Sequence, residues 1–166
     1  MVFRMRDNEF ERLYEDHAQA LFGFLAYRTG DRAQAEDLLG EAFERALRSR
    51  NRYDPARASA KTWLYAIALN CLRDQHRRAE AEMRALDRVA AGSTAAAPVG
   101  QLGRVEDRAL LERALTGLSE EEREVVALRY GGELTAPEMA ELLGEKLTTV
   151  EGRVYRALRK LRADLV

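Results

Sequence analysis

The chain has 166 residues, enough for one medium domain or two small ones. Hydrophobic residues make up 46% and charged residues 33%, whereas Pro (3) and aromatics (7%) are sparse, which argues against an all-β fold and for a soluble, helix-rich one. The formal net charge of −1 excludes a uniformly basic nucleic-acid binder, but the charge is segregated. Residues 146–162 carry six cations against the single carboxylate Glu151, and residues 106–124 carry seven carboxylates against three arginines. Local fields decide binding, so the near-neutral total leaves a nucleic-acid partner open. Cys71 is the one cysteine, and no internal disulfide is possible. No apolar run approaches the ~20 residues of a membrane span. The opening MVFRMRDNEF lacks the apolar stretch of a signal peptide. The expectation is a cytoplasmic protein with no membrane insertion.

The first predicted helix runs from Asp7 to Thr29, with Phe10, Leu13, Tyr14, Leu21, Phe22 and Leu25 at helical spacing. His17 continues that stripe and reads as a satisfied, partly buried histidine. Gly30-Asp31 ends it and caps the next helix, Asp31 to Arg50. Ala35, Leu38, Leu39, Ala42, Phe43, Ala46 and Leu47 form the apolar stripe of this second helix. Its acids come early and its arginines late, an order that complements the helix dipole. The same carboxylates beside Leu38 or Leu39 also suit a docking surface for a groove with a basic rim. Asn51 to Ser59 breaks the period, and Asp54-Pro55 makes a turn.

The stretch Thr62 to Arg78, TWLYAIALNCLRDQHRR, then forms an amphipathic helix with two unlike faces. Leu64, Ile67, Ala68, Cys71 and Leu72 line one stripe, which makes Cys71 a buried, inert thiol. Trp63, Asn70, Asp74 and Arg77 line the other, with Arg73 and Arg78 at its margins. A ring, an amide and several cations side by side suit a nucleic-acid strand; a core helix with a solvated basic flank has the same pattern. Tyr53, Arg57 and Lys61 stand in or beside the preceding loop, either as ordinary surface residues or as a wall for an unstacked base. The helix is expected to continue past Arg78 toward Ala90. Residues 90–103, AAGSTAAAPVGQLG, are uncharged and rich in small residues, and read as a flexible linker between residues 1–89 and 104–166.

Beyond the linker, residues 104–116 read as a helix ended by Gly117. Ser119 with Glu122, and Thr135 with Glu138, are capping boxes that start two further helices. The first stops at Gly131-Gly132 and the second at Gly144. Val150, Val154, Leu158 and Leu161 give the last helix its inner stripe, with Arg153, Arg156, Arg159 and Lys160 outside. A short helix, a Gly-containing turn and a strongly basic helix make a helix-turn-helix, in which the second helix enters the major groove. Lys146 cannot accept a backbone N–H, whereas Thr148 with Glu151 forms a capping box two residues later, so the turn is expected to be longer or shifted in register. Glu151 repels phosphate but can accept from a cytosine amine.

In order along the chain stand AEDLLGEAFERAL, YDP, TWLYAIALNCLRDQHRR, LSEEEREVVALRY, LTAPEMAELLG and TTVEGRVYRALRKLR. Six segments in this order around a linker resemble the bacterial RNA polymerase sigma factors of the extracytoplasmic-function class, and the resemblance covers nearly all of the chain outside the linker. It implies an all-α fold of two small helical domains joined by a flexible linker, the C-terminal one a helix-turn-helix. It implies core RNA polymerase and promoter DNA as partners, a cognate anti-sigma factor as a common third, no cofactor and no catalytic chemistry.

Residue by residue, the resemblance gives Asp37, Leu38, Glu41 and Phe43 to the motif that docks on the polymerase, although Phe43 also suits the core. Tyr53, Asp54 and Trp63 match the loop and helix start around a flipped minus-ten base, and Lys61, a cation beside that loop, is grouped with them. Asn70, Arg73, Asp74, Arg77 and Arg78 match the helix along the minus-ten element. Arg129, Lys146, Thr148, Thr149, Arg153 and Arg156 fall at or near the minus-thirty-five element. The expected function is an alternative sigma factor; the rival is a helix-turn-helix regulator that never joins the polymerase. Two distant histidines, no metal-ligand spacing, no phosphate-cradling glycine loop and no nucleophile motif leave an enzyme without support.

Overall fold

The structure, a computed structural model, describes residues 4–87, 110 and 113–165. The expected linker, 90–103, and most of the expected helix 104–116 lie outside the described residues, of which 113–116 are helical. Six helices are labelled here: α1 (Asp7–Thr29), α2 (Arg32–Ser49), α3 (Ala60–Leu86), α4 (Glu120–Val126), α5 (Ala136–Leu143) and α6 (Leu147–Leu165). A 3-10 turn, Arg50–Arg52, follows α2, and a π-helical turn, Ala127–Gly131, continues α4. No strand occurs among the described residues.

Local chemistry sets the ends of these helices. Asp31 caps α2 by accepting from the Ala33 N–H at 2.9 Å, and Ser59 caps α3 by accepting from Thr62 at 3.1 Å. The boxes at Ser119–Glu122 and Thr135–Glu138 close reciprocally at the starts of α4 and α5. Gly144, at φ 65°, takes the left-handed conformation that ends α5.

The start of α6 differs from the expectation. Lys146 stands at the cap position after all: its carbonyl accepts from the Val150 N–H at 3.1 Å, and the helix begins at Leu147. The first intrahelical bond needs only the cap residue's carbonyl, so a side chain unable to accept does not move the boundary. The turn is therefore Gly144 to Lys146, and Thr148 and Glu151 form no capping box.

Helices α1, α2 and α3 pack around Leu13, Leu21, Phe24, Leu25, Leu64 and Leu72, and Ala35, Ala42 and Ala46 let α2 approach closely. Leu128, Leu134, Met139 and Val150 from the C-terminal half enter the same core. The contact between halves is tight at Gly23 and Gly131: a Cβ on Gly23 would stand 2.8 Å from the Gly131 carbonyl oxygen. Tyr65, fully buried, donates its hydroxyl to the Gly132 carbonyl at 2.9 Å, and burial pushes that phenol far up from its ordinary value. A smaller cluster of Leu118, Val126 and Ala157 holds α4 to α6.

Glu122 anchors that second cluster electrostatically. Its carboxylate accepts from Lys160 Nζ and from the Ser119 N–H, both at 2.9 Å. The Lys160 bond first, then the Ser119 amide, hold it below its ordinary value. A depressed carboxylate contributes stability that is complete above the unfolded value of about 4.3 and is lost as the pH falls through the folded value. Glu122→Gln is expected to remove that acid-dependent limb, as thermal melts between about pH 3 and 6 will register.

Candidate nucleic-acid interface

Two surfaces carry most of the candidate residues. The first is the loop after α2 together with the solvent side of α3. Tyr53 is buried, donates its hydroxyl to the Ala58 carbonyl at 3.2 Å, and lies 5.1 Å from the half-buried Trp63 ring at a 45° tilt. The capped Asp54 turn, closed by its own carboxylate on the Ala56 N–H at 2.9 Å, sets this pair at the head of α3. Farther along, Asn70, Arg73, Arg77 and Arg78 are exposed on one side of the helix.

Asp74 is less free than its neighbours. It accepts from Arg45 at 3.1 Å and from Arg77, so it ties α3 to α2 and orients one of the outward cations. The Arg45 bond, followed by Arg77, holds its carboxyl below the ordinary value. Lys61 and Arg73 are drawn toward the C-terminal half, Lys61 to Glu138 at 3.0 Å and Arg73 to Glu124 at 3.8 Å. Half-buried His17 stands near Lys61; burial first, and then that ammonium, hold its imidazole below the ordinary range. Between α3 and α4 lies a cleft of about 590 Å³, with Arg28, Asn70, Arg73 and Arg77 opposite Glu120 and Glu124.

The second surface is α6. Thr148, Thr149, Arg156 and the neighbouring Lys146 are exposed. Arg153 is not presented in the same way: it is largely covered and pairs with Glu145 at 2.8 Å across the turn. Arg129 donates to the Leu134 carbonyl at 3.0 Å and stiffens the approach to α5.

The α2 candidates divide by burial. Asp37 is exposed and Glu41 half-exposed beside Arg45, whereas Leu38 and Phe43 are core residues, at 3% and 7% exposure. A side chain already packed inside has no surface to give a partner, so half-buried Leu39 is the apolar residue that this face offers. Cys71 is buried as expected, and burial raises its thiol to about 11.

Reading a single stripe on α3 misses Tyr65 and Leu69, both buried. A signal for them exists in the apolar doublets Leu64-Tyr65, Ala68-Leu69 and Cys71-Leu72, which widen the stripe to an arc covered on two sides.

Comparison with known proteins places the chain in a family. The Sigma-70 region 2 family matches residues 13–82, and the Sigma-70 region 4 family matches residues 108–161. The ECF RNA polymerase sigma factor SigL of Mycobacterium tuberculosis is 31% identical over 153 residues, covering 92% of this chain and 86% of SigL. The RNA polymerase sigma factor CarQ of Myxococcus xanthus is 33% identical over 165 residues, covering 96% and 92%. Among solved structures, the sigma factor RpoE in complex with the anti-sigma factor NepR from Bartonella quintana aligns with a TM-score of 0.74 at 25% identity, covering 95% of this chain and 97% of that one. CnrH in complex with the cytosolic domain of CnrY aligns with a TM-score of 0.67 at 28% identity, covering 96% and 89%. With both its halves matched in order and relatives aligned over nearly their full length, the chain belongs to the extracytoplasmic-function sigma factors of the sigma-70 family, which direct RNA polymerase to promoters.

Proposed function

We propose that this sigma factor divides its work along the boundary between its halves. Asp37 and Glu41 on α2, with Leu39 between them, dock on core polymerase. The half-buried Trp63 ring and the Asn70, Arg73, Arg77 and Arg78 side of α3 receive the minus-ten element, with the buried Tyr53 backing that ring rather than touching DNA, and Lys146, Thr148, Thr149 and Arg156 meet the minus-thirty-five element. The observation that carries this reading is the half-buried Trp63 ring, held by Tyr53 beneath it, at the head of a helix whose open side bears an amide and three arginines. Aromatic faces hold unstacked bases, and cations follow the backbone. Flipping a base costs a few kcal/mol, which a fitted pocket must offset. A cognate anti-sigma protein is the third partner, in keeping with the complexes formed by RpoE and CnrH.

In vitro transcription with core polymerase on a genomic library tests the reading, its result being a set of discrete start sites that share two upstream elements. Failure to bind core polymerase, with duplex binding intact, would turn the reading toward a free-standing helix-turn-helix regulator. Within this scheme Trp63→Ala is expected to spare duplex binding and to reduce strand opening, measured by permanganate footprinting. Unchanged opening would leave Trp63 a packing residue only.

A further inference from the structure

Glu151 occupies a position where a carboxylate needs a reason. It is exposed on α6, a helix whose other exposed charged residues as far as Arg162, namely Arg156, Arg159, Lys160 and Arg162, are cations. Phosphate approaching that surface is attracted by the arginines and repelled by Glu151.

Structural reasons for the residue fail in turn. It caps nothing, because α6 starts at Leu147 and the first backbone bond runs from the Val150 N–H to the Lys146 carbonyl. It is the fifth residue of the helix, past the first turn where the dipole rewards an acid. Among the described residues it makes no ion pair or hydrogen bond, whereas the neighbouring cations Arg153 and Lys160 are engaged by Glu145 and Glu122.

Gly152, the next residue, is equally without a packing explanation. Glycine inside a helix costs about 1 kcal/mol relative to alanine. A Cβ there would meet nothing nearer than the Arg156 guanidinium, at 3.4 Å, so packing does not demand its absence. On the helical wheel Gly152 lies opposite the buried Val150 and Ala157. The side of α6 farthest from the core thus has a gap in its side-chain cover, with a free carboxylate beside it.

We propose that Glu151 determines sequence preference in α6 by accepting a hydrogen bond from the N4 amino group of a cytosine in the major groove, with Gly152 giving the helix backbone room to come close. This rests on the reading of α6 as the promoter-recognition helix. A carboxylate can only accept, and the major-groove edges offer two donors, cytosine N4 and adenine N6. Adenine N6 lies between two acceptors, its own N7 and the O4 of thymine, which both repel a carboxylate. Cytosine N4 has the guanine O6 on one side and only a carbon-bound hydrogen on the other. Cytosine is therefore the base that Glu151 selects.

The test is selection from promoter duplexes randomised in the upstream element, by the full chain in complex with core polymerase, as wild type, Glu151→Gln and Glu151→Ala. Wild type is expected to prefer cytosine at one position by about tenfold. Glu151→Gln should shift that position toward adenine, whose N6 and N7 suit an amide, and Glu151→Ala should abolish the preference there while leaving the others. A second measurement replaces that cytosine by pyrimidin-2-one, which lacks the amino group. Wild type should lose about the same tenfold and Glu151→Ala should lose nothing. The same preferences in all three proteins would overturn the role of Glu151 while leaving α6 as the recognition helix. Absence of any upstream preference in wild type would overturn the assignment of α6, and this inference with it.

Discussion

Tyr65→Ala is expected to lower the unfolding free energy by about 3–5 kcal/mol, measured by urea denaturation. The side chain is fully buried and lies tilted against Phe24, with ring centroids 6.1 Å apart, so truncation opens a cavity in the middle of the shared core. Its hydroxyl also satisfies the Gly132 carbonyl. Tyr65→Phe keeps the ring and isolates this second contribution; leaving a buried acceptor unpaired costs about 1–3 kcal/mol. Because Leu128, Leu134, Met139 and Val150 belong to the same cluster as Leu21 and Phe24, the loss should be felt in the C-terminal half as well. Unfolding of the C-terminal half unaffected by Tyr65→Ala would show that the halves are not energetically coupled.

The second large effect is at Leu38. Leu38→Ala should cost about 2–5 kcal/mol of stability, because the side chain lies in the α1–α2–α3 core. Asp37→Ala, one residue earlier and exposed, should change stability by no more than about 0.5 kcal/mol. The expected separation is therefore clean: Leu38→Ala lowers the denaturation midpoint, and Asp37→Ala weakens binding to core polymerase without doing so. An Asp37→Ala protein with undiminished polymerase affinity would remove Asp37 from the docking surface and leave Leu39 and Glu41 to carry it. A double substitution would confound the two, since loss of binding would then follow from partial unfolding alone.

These two positions show where the sequence is readable. Helical period and capping chemistry carry α1 to α5 almost to their ends, because Asp31, Ser119 and Thr135 satisfy backbone groups within a few residues of themselves. The pairing of Tyr53 with Trp63, near neighbours around a turn, is legible for the same reason. What is not legible depends on partners far along the chain. Nothing near Lys61 announces Glu138, and nothing near Tyr65 announces Gly132. Leu38 and Leu39 are indistinguishable by type, and only the azimuth of α2 against α1 and α3 sends one inward and leaves the other at the surface. The beginning of α6 misleads in a different way. Side-chain capping is a preference, whereas the Lys146 carbonyl is available whatever side chain stands there.

The close backbone contact of Gly23 with Gly131 has a consequence for how the protein meets DNA. Elements centred ten and thirty-five base pairs upstream lie about 25 base pairs apart, roughly 85 Å of duplex at 3.4 Å per step. A compact chain of 166 residues has a radius of gyration of about 15 Å. A molecule held shut at Gly23, Tyr65 and Lys61 cannot span that distance, so if the two halves read the two elements as proposed, these contacts must part. The affinity observed for a complete promoter is then the intrinsic affinity multiplied by the fraction of molecules standing open. Every contact that ties the halves together lowers that fraction.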